Sequence, residues 1–216
     1  MEPFPPTSAA LDDPNGLLAV GGDLSAARLL EAYRRGIFPW YKPGEPILWW
    51  TPQPRAVLRP SEFHESKSFR KFLKTNDWRI EYDQRFEEVI DACAASSPGR
   101  EETWISDDMK TAYLELYRLG YAHSIEVMSA STLVGGLYGV KLGSIFFGES
   151  MFSKKSNASK IALRAICKKE LLGPLSLVDC QIPNEHLESL GMTVITREAF
   201  EQILASEIKP SSRRYR

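Results

Sequence analysis

HSIEVMSASTLVGGLYGVKLGSIFFGESMF, residues 123–152, is the stretch whose reading decides the fold. Three apolar runs, 123–128, 133–142 and 144–152, are joined by the short links SAS and KLGS. Runs of this length and links this short predict an antiparallel meander. Downstream, Asn157 caps a predicted helix, NASKIALRAICKKELL, that Gly173 ends. LSLVDCQ (175–181) then reads as a strand, PNEHLESL as a short helix, TVI as a strand and REAFEQILASE as a last helix. Upstream, helices are expected at about 66–75, 85–96 and 106–119, the third with Ser106 as N-cap, Asp107 and Asp108 in its first turn and Gly120 after its end. Helices, a meander, a helix and a further strand make an α+β fold.

The first sixty residues read differently. Residues 1–22 look irregular, with DPNG as a turn signal, and a helix capped by Ser25 carries Leu29, Leu30 and Tyr33 on one face. Prolines recurring from Pro39 to Pro60 forbid a long helix, leaving ILWW and RAVL as short strands. The expected organisation is a small N-terminal α/β unit, 1–59, and a larger domain, 60–216. An acidic, Pro-rich N-terminus without an apolar core is not a signal peptide, no apolar run approaches the roughly 20 residues of a membrane span, and Cys93, Cys167 and Cys180 form no metal or disulfide pattern. These features predict a cytoplasmic protein with no metal.

Net charge is −1, so no global field draws the chain to nucleic acid. The charge is clustered, however. Lys67, Arg70, Lys71 and Lys74 fall in one predicted helix, Lys154, Lys155, Lys160, Arg164, Lys168 and Lys169 in a second acid-free run, and the chain ends KPSSRRYR. Such clusters are either solvated helix faces or grips for a polyanion.

Alternation along LVDCQ puts Asp179 and Gln181 on one strand face and Cys180 on the other. A Cys180 nucleophile served by His186 would need an electropositive, accessible thiol, and nothing else supports one; Cys180 reads as a core filler. Asp179 and Gln181 are either a functional pair at a strand end or a cap for the next helix. Glu149, with Ile145 and Phe147 on its face, is costly to bury unless it is paired; a salt bridge to a Lys or Arg would meet that need. Trp40, Trp49, Trp50, Trp78 and Trp104 are abundant, and exposed indoles beside basic residues can stack nucleobases.

PNGLLAVGGDLS, RLLEAYRRGIFPWY, PILWWTPQPRAVL, TWI, AHSIEV, LVGGLYGV, FFGESMFS, NASK, VDCQ and HLESLG, in this order from about residue 4 to 200, strongly resemble the leucyl/phenylalanyl-tRNA–protein transferase family. The resemblance implies a small N-terminal domain followed by an acetyltransferase (GNAT)-like domain, and the transfer of Leu or Phe, less well Met, from aminoacyl-tRNA to proteins with N-terminal Arg or Lys. The product is an N-end rule degradation signal, and no cofactor or metal is implied. Carried over by motif, Gln181 would accept a hydrogen bond from the attacking α-amine, Asp179 would polarise and hold Gln181, and Asn184 and Glu149 would stand beside them. Trp40 and Trp104 would hold the 3′-terminal adenosine; Leu137, Phe146, Leu163 and Val178 would line the aminoacyl side-chain pocket; Lys67, Arg70, Lys71 and Lys74 would grip the tRNA acceptor stem. Leu137 stands where some members have Met, Met128 where Trp is common, and Glu170 where some have an aromatic residue. A CoA-dependent N-acetyltransferase would carry a Q/R-x-x-G-x-G/A loop, which is absent, and a simple RNA-binding module would not need the polar pair at a strand end.

Overall fold

A computed structural model describes residues 3–95, 103–168 and 172–209. The first unit runs β1 (Leu17–Val20), α1 (Ala26–Arg34), β2 (Phe38–Pro39) and β3 (Leu48–Trp50), with antiparallel order β1-β3-β2. Ser25 caps α1 by accepting the Arg28 amide. Residues 17–20 lie in the segment expected to be irregular; they become a strand because β3, some thirty residues on, supplies their partner.

The chain continues with β4 (Arg55–Leu58), α2 (Lys67–Thr75), β5 (Arg79–Tyr82), α3 (Phe86–Ala94), α4 (Asp107–Arg118), β6 (Ala122–Ser129), β7 (Thr132–Leu142), β8 (Ile145–Ser153), α5 (Ala158–Cys167), β9 (Leu177–Gln181), α6 (Glu185–Glu188), β10 (Thr193–Ile195) and α7 (Arg197–Glu207). The α+β class and the meander β6–β8 are as expected, whereas β5 is an edge strand that the sequence reading lacked. The large sheet has the order β10-β4-β9-β8-β7-β6-β5. All its ladders are antiparallel except β8–β9, which α5 connects as a crossover. An expected division at residue 59 assigns β4 to the small unit, but the ladder partners of β4 are β9 and β10. The predicted helix ending at Leu172 is observed as far as Cys167; Lys169, Glu170 and the basic end of the chain past Lys209 lie outside the described residues.

The sheet separates two apolar cores. One lies under α1, α3, α4 and α7, the other under α2 and α5. Strand alternation assigns the faces: Phe147 and Leu177 enter the first core, Phe146 and Val178 the second. The α5 helix comes close to β7 because residue 135 is Gly; a Cβ there would stand 2.3 Å from the Ala158 Cβ. No helix among the described residues is long and apolar enough to cross a membrane.

Gly135→Ala should therefore destabilise the fold by about 1–3 kcal/mol, the cost of forcing extra volume into a packed contact. Denaturant unfolding of the variant reads this directly, and a midpoint equal to the parent's would contradict the close packing of α5.

Candidate active site

The β8–β9 ladder stops at Phe147↔Asp179. Past that point the two strands part, and Glu149 and Gln181 sit where they separate. β8 is also irregular here. Tyr138 pairs with Ser150 and Gly139 with Gly148, so Glu149 is the extra residue of a bulge. The bulge reverses the strand's phase, so Met151 faces the second core and Phe152 the first. Strict alternation, which would put Ser150 with Phe146 and continue unchanged, fails after Glu149 for this reason. Gly139 makes the irregularity possible, since a Cβ there would lie 2.1 Å from the Phe147 carbonyl oxygen.

Asp179 is fully buried and takes a two-pronged ion pair from Arg55, with Nε to Oδ1 at 2.8 Å and Nη2 to Oδ2 at 2.7 Å. The Arg55 guanidinium lies between the rings of Phe38 and Phe200, at 4.9 and 4.7 Å from their centroids. Asp179 Oδ1 also accepts the Gln181 backbone amide at 3.0 Å, and Gln181 itself is held at φ 64°. Asp179 thus holds Gln181 through the main chain. The side-chain amide goes elsewhere: Gln181 Nε2 donates to Glu149 Oε1 at 3.0 Å. Neither residue caps α6. That role falls to Asn184, whose Oδ1 accepts the Leu187 amide at 2.9 Å.

Glu149 has no cationic partner among the described residues, so the expected salt bridge is replaced by neutral donors. Tyr113 Oη donates to Oε2 at 2.7 Å, and Tyr33 Oη stands 2.5 Å from Tyr113 Oη. Burial raises the Glu149 carboxyl to about 7, against the hydrogen bonds that lower it.

Three adjoining hollows surround this pair. An apolar cavity of about 210 Å³ is walled by Leu137, Phe146, Leu163 and Val178, with Ile166 and Leu187 completing it, and it opens onto Glu149, Gln181 and Asn184. Those three polar residues also line a second hollow of about 180 Å³, whose far side is Phe38, Trp40 and Trp104. Trp40 and Trp104 in turn face a third, of about 320 Å³, with Trp50 and Lys42. Trp40 is 43% exposed, and its ring meets Trp50 edge-on. Trp49, by contrast, is core. The chemistry-bearing residues of LVDCQ and FFGES, both indoles and all four apolar residues expected from the sequence therefore border a cleft of adjoining hollows with shared walls.

Lys67, Arg70, Lys71 and Lys74 do not reach it. They are exposed on α2, whose Phe69 is buried in the second core. The other basic run comes alongside: Arg164 pairs with Glu65 at 2.6 Å, and Lys155 Nζ lies 5.8 Å from the Trp78 ring.

The Cys180 thiol is pushed well up, first by burial and then by the Asp179 carboxylate. His186 is exposed on α6, with no hydrogen bond to its imidazole among the described residues. Arg55, Tyr33 and Tyr113 are the site residues that sequence reading passed over. Tyr33 and Tyr113 sit at ordinary core positions of amphipathic helices. The only signal for them was indirect: a carboxylate in an apolar strand needs donors from somewhere.

An α+β fold with an apolar pocket opening onto a polar pair, and indoles on the other side, defines a class of protein with a cleft apolar at one end and aromatic at the other. Sequence models of the "Leucyl/phenylalanyl-tRNA protein transferase" family and of its N-terminal domain match residues 57–205 and 22–53. The leucyl/phenylalanyl-tRNA–protein transferase of Pseudomonas putida (strain W619) is 51% identical over 99% of this chain and 95% of its own length. That of Enterobacter sp. (strain 638) is 55% identical over 91% of this chain and 83% of its own. Among solved structures, a ribosomal-protein-alanine N-acetyltransferase from Brucella melitensis biovar Abortus 2308 overlays with a TM-score of 0.34 at 11% identity, over 65% of this chain and 97% of that one. The chain belongs to the leucyl/phenylalanyl-tRNA–protein transferase family.

Because the Glu149 carboxyl is raised from 4.5 to about 7 in the fold, the folded protein keeps a proton there that the unfolded chain releases between these values. Its contribution to stability is largest below that window and is lost as pH rises through it. Glu149→Gln, which stays neutral, should gain about 2 kcal/mol over the parent on going from pH 5 to pH 8. Paired unfolding curves at the two pH values measure the gain, and a pH-independent difference would place Glu149 in ordinary solvation.

Proposed function

We propose that this protein transfers a leucyl or phenylalanyl group, and methionyl less well, from aminoacyl-tRNA to the N-terminal Arg or Lys of acceptor proteins. The product carries an N-end rule degradation signal, and the reaction belongs to the cytoplasm. The observation that carries this reading is the joining of the apolar cavity of Leu137, Phe146, Leu163 and Val178 to the Gln181–Glu149 pair, in a chain of this family. An aminoacyl side chain in that cavity puts its ester beside Gln181, and the terminal adenosine then falls toward Trp40 and Trp104.

The ester is already activated, so the site needs to position two reactants and manage one proton. An α-amine with a pKa of about 7.7–8.0 is partly neutral near pH 7. Gln181 Nε2 is committed to Glu149, which leaves Oε1 to accept from the amine and point its lone pair at the ester carbon. The C–N bond forms, the bond from carbonyl carbon to the ribose oxygen breaks, and the amine proton leaves with the departing 3′-hydroxyl. Asp179, tied to Arg55, holds the main chain of Gln181 in place. Asn184 borders the same cleft from the N-cap of α6. The exposed Lys67, Arg70, Lys71 and Lys74 on α2 would neutralise acceptor-stem phosphates without reading sequence.

The experiment is to incubate the protein with Leu-tRNA labelled in the leucine and a peptide beginning with Arg, with acetyl-CoA as the alternative donor. Label should move from tRNA to peptide; acetylation without leucyl transfer would overturn the reading. Gln181→Ala should lower kcat by about 10²-fold or more while leaving tRNA binding intact, the loss of an orienting group at the reacting centre. Lys71→Ala should weaken tRNA binding and reduce the slope of log K against log salt by about 1. An unchanged salt slope would remove α2 from the tRNA interface.

A further inference from the structure

Glu149, Tyr113 and Tyr33 form a buried chain that ends on the one side chain assigned to the acceptor amine. The protons in the chain can be placed. Tyr113 has a single hydroxyl proton, and it goes to Glu149 Oε2. The short contact between the two tyrosine oxygens must therefore be made with the Tyr33 proton. Glu149 Oε1 is left to accept from Gln181 Nε2. An ionised carboxylate can only accept, so it selects the amide rotamer whose nitrogen faces inward and whose oxygen faces the cleft. A protonated Glu149 can instead donate to the amide oxygen, and the flipped amide would present N–H groups to the amine, which cannot receive its proton.

We propose that Tyr113 and Tyr33 are positioning residues that hold Glu149 ionised, and that the ionised carboxylate fixes the Gln181 amide with its oxygen toward the acceptor amine. The proposal rests on the transferase reading above. The groups facing Glu149 are Tyr33 from α1, Tyr113 from α4, Tyr138 from β7, and Asp179 and Gln181 from β9. Burial and the Asp179 charge favour the protonated form, and the two hydroxyls and the amide oppose them. Arg55 is not among the groups that shift Glu149; its guanidinium is paired with Asp179.

The test is kcat for leucyl transfer to an Arg-leading peptide, measured from pH 5.5 to 9 under saturating Leu-tRNA, for the parent, Tyr113→Phe and Tyr33→Phe. Removing a hydrogen bond to a charged group should move the acid limb of Tyr113→Phe upward by about one pH unit. Its kcat should fall about fivefold near pH 7 and return close to the parent value at pH 9, with KM for Leu-tRNA changed less than about twofold. Tyr33→Phe should shift the limb in the same direction by less. A purely structural lesion would lower kcat equally at every pH, and that outcome, or unmoved limbs in both variants, overturns the proposal. A parent enzyme that moves no leucine at any pH would instead sink the transferase reading itself.

Discussion

The buried ion pair between Arg55 and Asp179 is the constraint on which the arrangement of the cleft depends. Both charges are out of water, so each needs the other; removing one partner of such a pair typically costs about 3–5 kcal/mol. The pair spans three parts of the chain. Arg55 opens β4, Asp179 lies in β9, and the guanidinium is sandwiched by Phe38 of the small sheet and Phe200 of α7. Satisfying one buried charge therefore ties the N-terminal unit and the last helix to the strand that carries Gln181. It also uses Asp179 Oδ1 to hold the Gln181 amide at a positive φ, a conformation a side-chain-bearing residue rarely adopts unaided. Such pairs need not add net stability, and here the geometric consequence is the more important one.

Glu149 is the second buried charge, and it is solved in the opposite way. Its bulged place in β8 turns it toward the first core, where no cation among the described residues meets it. Neutral donors stabilise an anion less than a guanidinium does, so burial prevails and the carboxyl titrates near neutrality. Two carboxylates a strand apart are thus partnered differently, one by a guanidinium and one by neutral donors. That difference is how a site can keep one acid as a scaffold and use another to set the state of a neighbour.

The cleft built on these two acids is divided by chemistry along its length. One end is apolar, the middle is polar, and the other end is aromatic and reaches Lys42. An aminoacylated adenosine has the same order of parts, from side chain to ester to base. The basic helix α2 packs on the second core through Phe69, and its lysines and arginine lie apart from the residues that line the cleft.

Much of this was legible in the chain. The meander followed from three apolar runs and their short links. The caps at Ser25 and Ser106 stood out because local chemistry sets helix starts. Alternation correctly separated Asp179 from Cys180 because a strand's period is two whatever surrounds it. Residues 17–20 and 79–82 escaped because a short edge strand has no meaning without its partner, and those partners are distant in sequence. The sequence by itself thus determined most of the elements, the strand faces up to the bulge in β8 and the residues that had to be compensated: an acid in FFGES and an acid in LVDCQ. Only the tertiary structure decided which acid received the arginine and which the tyrosines. That choice follows from strand order and from one extra residue in β8, and buried charges are satisfied by whatever donors the packing brings within about 3 Å, which no local pattern records.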